Sequence, residues 1–476
     1  MPGTFFGLEI GRRGLQTHQR ALDVTSHNLT NSSTEGYTRQ VAVFTQTDPY
    51  TSPELDSSVK KGQLGTGVTT SMISRIRDEY LDPQVRMATT DRYYWEDQID
   101  IYGRLENCFA EPDSSGISDQ LVNFFKNWMS LNNDPQDAGV KATVMETGVQ
   151  LATQMTYAYS QMSYIQESIV TPGMLTDVES GQIKDQVERV NDLLTQIQNY
   201  TEAIIKIYDL GQQPNDLLDQ RDLLLDELSQ YGSLDVLYDT QNGTPTGEIT
   251  MNFLGVNITT VPRDNKTFSL QINGASGNIE LYEASLGLVV DLTAQMDNID
   301  LGGSLLGLEK ARQSIIGFKD TLDAIAVNLR DKIIEKNSEP PAAFIAEFFT
   351  GSLAGGDFRV NGQIVNNSSL IDGTKAGDIV NINDEEMDAT RTYSLEECFG
   401  LLTTDIGAKA AGADGMAASL EAIQEQMYNL RESVAGVSVD EELTKMVQFQ
   451  YGYQASSRVV TMMDELLDNL INRMAQ

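Results

Sequence analysis

Leucine recurs every seven residues at the start of the chain, at Leu8, Leu15, Leu22 and Leu29. At the other end Met446, Tyr453, Val460, Leu467 and Met474 keep the same period, and Phe449, Met463 and Leu470 stand three positions further on. A seven-residue repeat of this kind predicts a helix with one narrow apolar stripe. A lone helix with such a stripe is marginal in water, so each end needs a partner, and the opposite end is the obvious one.

The middle is also written in helical spacing. Ile117, Leu121, Phe124, Phe125 and Trp128 predict a short helix ending before Asn133-Asp134-Pro135. Val144, Leu151, Met155, Tyr159, Met162 and Ile169 predict a longer one that stops at Pro172. Ile183 to Ile207, Leu308 to Leu329, and Met416, Leu420, Ile423, Met427, Leu430 and Val434 predict three more, packed side by side. Two stretches break the pattern. Alternation at Ile249, Met251, Phe253 and at Phe268, Leu270, Ile272, with the turn dipeptides Asn242-Gly243 and Asn273-Gly274, predicts an antiparallel β-subdomain over 233–299. Residues 340–395 are rich in Gly, Asn and Asp and read as irregular, β-like surface structure. The expected fold is mainly α: an elongated helical bundle with a terminal coiled-coil domain (1–45 with 438–476), a helical rod (46–232 with 300–437) and the small inserted antiparallel β-subdomain.

Charge sharpens this picture. The 476 residues carry 33 Lys plus Arg against 69 Asp plus Glu, a formal charge of −36. Such a field repels phosphate, which excludes nucleic acid and disfavours an anionic membrane surface as partners. Residues 1–40 hold four arginines against three acids and residues 440–476 hold three basic against six acidic side chains, so about −34 belongs to the intervening chain. The Met1-Pro-Gly-Thr-Phe-Phe-Gly start does not read as a secretory signal peptide, and no apolar run is long enough to predict a membrane-spanning helix.

The residues for most catalysis are scarce. His18 and His27 are the only histidines and lie nine residues apart, which is not the spacing of a metal-binding helix. Cys108 and Cys398 form no Cys-x-x-Cys motif and read as buried small hydrophobes. A stretch from Asn298 to Glu309 partly imitates a calcium loop, but only one carboxylate lies among its first five residues. No Gly-rich phosphate loop occurs. The expectation is no enzyme, no catalytic residue, no metal and no cofactor.

The segment Gly14-Leu-Gln-Thr-His-Gln-Arg-Ala-Leu-Asp-Val-Thr-Ser-His-Asn28-Leu-Thr-Asn31, followed by Gly36-Tyr37-Thr38-Arg39-Gln40, resembles the signature of bacterial flagellar rod, hook and hook-associated proteins. This copy has His27-Asn28 where the family has paired Asn, and Glu35 where Pro is common. Residues 116–128, Asn215 to Leu228, Gly303 to Asn337 and the stretch from Val439 to Gln454 narrow the likeness to the family of type 1 hook-associated proteins, over nearly the whole chain. The resemblance implies an inner-tube coiled coil of the two termini, an outer helical rod, and an outer β-domain reduced to about residues 340–395. It implies signature residues Asn28, Asn31, Gly36, Tyr37 and Arg39, and a structural role at the hook–filament junction of the extracellular flagellum. Its implied partners are further copies in a ring, the hook protein, the next hook-associated or filament-side protein, and a chaperone for export through the type III channel. The assembly interface is expected at Leu8, Leu15, Leu22, Leu29, Met446, Phe449, Tyr453, Val460, Met463, Leu467 and Leu470. Alternatives are another axial component (hook or distal rod) and a secreted helical effector or adhesin.

Overall fold

A computed structural model describes residues 5–49, 65–109, 116–173, 177–241, 244–259, 266–274, 276–283, 286–337, 344–387 and 393–469. The Asn242-Gly243 turn, Leu470 and Met474 lie outside them. The chain opens with α1 (Phe6–Thr30), then β1 (Gln40–Gln46) and β2 (Val68–Arg75), which pair antiparallel from Gln40 with Arg75 to Gln46 with Val68. The helical body follows: α2 (Leu81–Phe109), α3 (Ile117–Asn133), α4 (Ala138–Ile169), the small strands β3 (Thr171–Pro172) and β4 (Val178–Ser180), α5 (Gln182–Asp209) and α6 (Asn215–Leu228).

Strands β5 (Leu234–Gln241), β6 (Thr244–Phe253) and β7 (Val256–Thr259) form one antiparallel sheet. Strands β8 (Phe268–Ile272), β9 (Ile279–Glu283) and β10 (Gly287–Asp291) form a second, in the order β10-β9-β8. The short α7 (Leu292–Gln295) leads to α8 (Gly303–Lys336), about 50 Å long at 1.5 Å per residue. The last part comprises β11 (Phe349–Thr350), β12 (Arg359–Val360), α9 (Gly362–Asn366), α10 (Ala376–Asn381), α11 (Leu395–Ala435) and α12 (Val439–Asp468).

Local chemistry sets the boundaries. Asp137 caps α4 by accepting from the amides of Gly139 and Val140 at 2.7 and 3.1 Å, satisfying donors that a helix start leaves free. Ser394 and Glu397 form a reciprocal capping box that starts α11. The 3- and 4-residue spacings put Leu121, Phe124, Phe125 and Trp128 of α3 on one buried face, against Val144, Leu151 and Met155 of α4. Along α8, Leu308, Ile315, Leu322 and Leu329 are buried, with Ala311, Phe318 and Ile325 between them. In the sheets the alternation works as a period of two: Ile249, Met251 and Phe253 point inward, as do Phe268 and Leu270.

One region differs from the surface structure expected over 340–395. Its described part, 344–387, is irregular but buries Phe348, Phe349, Phe358, Ile364, Ile379 and Ile382. The rings of Phe348 and Phe349 lie 5.6 and 5.5 Å from Phe124, and Phe348 lies 5.5 Å from Trp128. Aromatic side chains without periodicity close the open face of α3 and α4, at pair distances that suit edge and tilted stacking.

Candidate functional site

Helix α1 runs antiparallel to α12, so that the first and last described helices lie side by side. Moving up α1, Gly7 meets Met463, Gly11 meets Val460, Gly14 meets Ser456, and His18 meets Gly452. The approach is close. A Cβ on Gly11 would stand 2.8 Å from Val460 Cγ2, and one on Gly452 would stand 2.5 Å from the His18 ring. The contact line is therefore built on small residues, and α1 buries Gly11, Gly14, Thr17, Ala21, Val24, Thr25 and Asn28. Leu8, Leu15, Leu22 and Leu29 are half-buried. On α12, Met446, Phe449, Val460, Met463 and Leu467 are half-buried, whereas Tyr453 is exposed. The signal for the glycine line was present in the sequence as Gly7, Gly11 and Gly14, but a search for large apolar repeats passes over it.

The other side of α1 rests on the β1–β2 hairpin, where Thr17 Oγ1 donates to the Val68 carbonyl at 3.3 Å. His18, Phe44 of β1 and Phe449 of α12 form an aromatic trio with centroids 5.9 to 6.3 Å apart. Burial there holds the His18 pKa below its ordinary value.

At the far end of α1 stands Asn28, which is buried. Its amide nitrogen donates to the Gln40 carbonyl at 2.8 Å and to Glu442 Oε2 of α12 at 2.9 Å. Its oxygen accepts from the Gln40 amide at 2.9 Å and from the Tyr37 hydroxyl at 2.7 Å. A primary amide offers two donors and two acceptor sites, and all four are used. Burial, and then Asp216, Asp219 and Glu442, push the Tyr37 phenol well above its usual pKa, so it stays a donor. Asn31 closes α1, its backbone and side-chain nitrogens both donating to the His27 carbonyl, at 3.1 and 3.0 Å. Gly36 has φ +74°, a conformation that favours glycine, and it packs on Leu223. Arg39 donates from its backbone to the Ala435 carbonyl at 2.8 Å and from Nη1 to Glu441 at 2.9 Å, tying the loop to both α11 and α12. Asn28, Asn31, Gly36, Tyr37 and Arg39 thus lie near one another at the base of the terminal pair, where it meets the rod.

This base continues into an ionic joint that no local motif announces. Thr38 donates through its backbone amide (3.0 Å) and its hydroxyl to Asp219 of α6. Gln40 donates to Asp216 at 2.7 Å and accepts from Asn215 at 3.2 Å. Arg75 of β2 bonds Asp219 at 2.9 Å and Asp222 at 2.6 Å, and Arg77 reaches Asp222 at 2.8 Å and Asp82 at 2.5 Å. Arg86 of α2 and Arg431 of α11 grip the two oxygens of Asp226 at 2.9 and 2.5 Å. Burial alone would raise the Asp222 pKa, but Arg77, Arg75, Arg86 and Arg221 outweigh it and hold this carboxyl well below the usual range. Burial raises Asp219 above its ordinary value, against the opposing bonds from Thr38 and Arg75. Each carboxylate accepts from groups on other elements, so the joint fixes how hairpin, α2, α6 and α11 meet. Its acids all lie in the middle segment and, except for Arg77 with Asp82, the paired groups are 140 or more positions apart, which hides them from any motif search.

Glu309, the last position of the calcium-like stretch, is buried and accepts from Arg312 (2.6 and 2.8 Å), Gln313 (2.9 Å) and Thr293 (2.6 Å). Among the described residues no group of three or more His, Cys, Asp or Glu is placed to hold a metal, and no helix is long and apolar enough to cross a membrane. Cys108 and Cys398 are free thiols.

Residues 102–338 match the family model of the flagellar hook-associated protein FlgK helical domain. Residues 432–474 match that of the flagellar basal body rod FlgEFG protein C-terminal, and residues 8–38 that of the flagella basal body rod protein. The chain is similar to flagellar hook-associated protein 1 of Bacillus subtilis, 27% identical over 100% of this chain and 99% of that one. It is 25% identical to the Escherichia coli protein of the same name, over 96% of this chain and 98% of that one. The Salmonella typhimurium protein of that name is 22% identical over the same shares. Among solved structures, the flagellar hook junction protein FlgK from Burkholderia pseudomallei matches at 23% identity and a TM-score of 0.42, covering 54% of this chain and 43% of that one.

Proposed function

The chain belongs to the flagellar hook-associated protein 1 family, and we propose from that premise that it works as a non-enzymatic adaptor whose two ends are completed by neighbouring subunits. It is a structural component of the bacterial flagellum at the hook–filament junction, and it assembles with other axial flagellar proteins. The helical-domain match over 102–338 favours this reading over hook or distal rod, and over an effector or adhesin outside the axial structure.

The observation that carries the mechanism is the surface of α12. One side of this helix lies on α1, while Leu443, Val447, Tyr451, Val459, Met462 and Leu466 face outward, each more than two-fifths exposed. Apart from the eight-residue step from Tyr451 to Val459, these residues recur every three or four positions, as on one face of a helix. Completing the burial of a half-exposed side chain of this size contributes about 1 kcal/mol. Six of them supply several kcal/mol once sister copies and the adjoining axial proteins cover them. The finer partners follow from this reading: copies arranged in a ring, the hook protein on one side, and a filament-side protein on the other. A chaperone that shields the α12 stripe before passage through the type III export channel fits the same surface, and final residence is the extracellular junction.

Deleting residues 443–476 tests the assignment. Cells carrying the truncated chain are expected to display hooks in electron micrographs but to shed filament protein unattached. Filaments of normal length on those cells would remove the junction assignment.

A further inference from the structure

The ionic joint holds more cations than acids. Its buried carboxylates are Asp82, Asp219, Asp222 and Asp226, four in number, whereas Arg75, Arg77, Arg86, Arg221 and Arg431 make five guanidiniums. Arg75, Arg77, Arg86 and Arg431 each bond a carboxylate at 2.5 to 2.9 Å. Arg221 does not: it has no ion pair among the described residues. This side chain is 1% exposed; its Nη1 donates to the Gly247 carbonyl at 2.7 Å, and its guanidinium lies 5.7 Å from the Tyr238 ring centre. Its Nε has no hydrogen-bond partner. A buried charge without a counter-charge is costly. Burial lowers the Arg221 pKa despite the neighbouring Asp222, whereas for Arg75, Arg77 and Arg86 the nearby acidic groups outweigh burial and raise it.

Arg221 lines a cavity of about 260 Å³ between β2, α6 and the β5–β6 pair, and Arg75 and Arg77 line it with Arg221. Arg75 reaches Asp219 and Asp222 through Nη1, which leaves its other nitrogens for a ligand. The backbone on the far wall is adapted to this arrangement. Gly247 has φ +87°, and a Cβ there would stand 2.8 Å from Ile204 Cγ2, so only glycine can present that carbonyl to Arg221. We propose that this cavity is a binding site for a small monovalent anion, of the size of chloride or formate, which balances Arg221 and pins the β5–β6 sheet and the hairpin onto α6.

The other charges around the cavity select for size and valence. Asp82, Glu79, Asp239 and Glu248 also line it. Asp82 is held by Arg77, while Glu79 and Asp239 are exposed, so water and salt screen them. A single negative charge beside Arg221 brings the joint to balance, five cations against four carboxylates and the ion. A second charge, as on phosphate, would have only these acids to face. The chain as a whole carries −36 and repels anions, so a site for one has to be local and built from arginine. The site belongs to the free chain and does not depend on what the chain assembles with.

Chloride NMR line widths, measured in solutions of the free full-length chain, read the site with chloride itself as the probe. The chain is expected to broaden the chloride line saturably, and added formate is expected to reverse the broadening by competition. Arg221→Met removes the buried cation and leaves four guanidiniums facing four carboxylates; it is expected to at least halve the excess width. The melting temperature should also rise more steeply with chloride in the unmodified chain than in Arg221→Met, a difference that general screening of the acidic surface does not produce. Broadening that grows linearly without saturation, or that formate leaves unchanged, means an adventitious ion only and overturns the proposal, whether or not the variant folds. A folded Arg221→Met that keeps the full excess width, or the same chloride dependence of melting, overturns it as well.

Discussion

The rod and the terminal pair are both helical, yet they keep their apolar residues in opposite places. In the rod, α3 turns Leu121, Phe124, Phe125, Trp128 and Leu131 inward, and all are buried. In the terminal pair, the 30 residues of α12 bury one side chain, the acid Glu442. The rod closes its own core. The pair is held by close small-residue packing and by a few polar bonds at its base, while its larger apolar side chains remain half or fully exposed. Ordering costs about 1–2 kcal/mol of backbone entropy per residue and burial must offset it, so on the proposed reading the rod folds by itself and the terminal pair is finished by assembly.

The largest expected effect lies in the rod. Trp128→Ala empties a site surrounded by Phe124 and Phe348 and should cost about 3–5 kcal/mol, read as a lower melting temperature of the free chain. A loss under about 1 kcal/mol would break the claim that the rod is the self-sufficient part. Next comes the base of the pair. Asn28→Asp keeps the shape but removes two donors and sets a second carboxylate against Glu442, which should cost about 2–3 kcal/mol. The loss should appear as faster amide exchange in α1 and α12, with the exchange of α3 and α4 unchanged.

Acid should act on the joint between the two regions. The folded-state pKa of Asp222 lies below its unfolded value, so its contribution is present above about pH 4 and is lost as pH falls below that. Asp219 is raised, so its ionised form opposes folding and its protonation on acidification relieves that cost. Denaturant titrations should therefore show Asp222→Asn flattening the acid-side fall in stability and Asp219→Asn steepening it. The smallest effect belongs to the outer stripe. Leu466→Ser, at a position 51% exposed, should change the stability of the free chain by less than about 0.5 kcal/mol and yet reduce retention on hooks. A large loss in the free chain would mean that α12 is already packed.

Much of this division could be read from spacing alone, because burial on one helix face writes a 3.6-residue period into the residues. The faces of α3, α4 and α8 and the alternation of β6 and β8 are of that kind. The glycine line of α1 was harder, since Gly7, Gly11 and Gly14 carry no apolar bulk and gain meaning only beside Met463, Val460 and Ser456. The core role of Phe348 and Phe349 was invisible because they sit in irregular chain, where no period marks the buried side. The ionic joint is three-dimensional: Asp219 and Asp222 look like surface acids of α6 until β2 brings Arg75 and Arg77 to them. On α11 the apolar spacing was plain, yet Met416, Ile423 and Leu430 are 44% exposed while Ala417 and Gln424 are buried, so spacing alone did not say which side of the helix turns inward.

Hydrogen exchange of the α12 amides, measured in the free protein and again in hooks bearing the assembled junction, tests the division most directly. The account predicts exchange in the free chain orders of magnitude faster in α12 than in α3, α4 and α8, and strong protection of α12 after assembly. Equal protection of α12 and the rod helices in the free protein would contradict it.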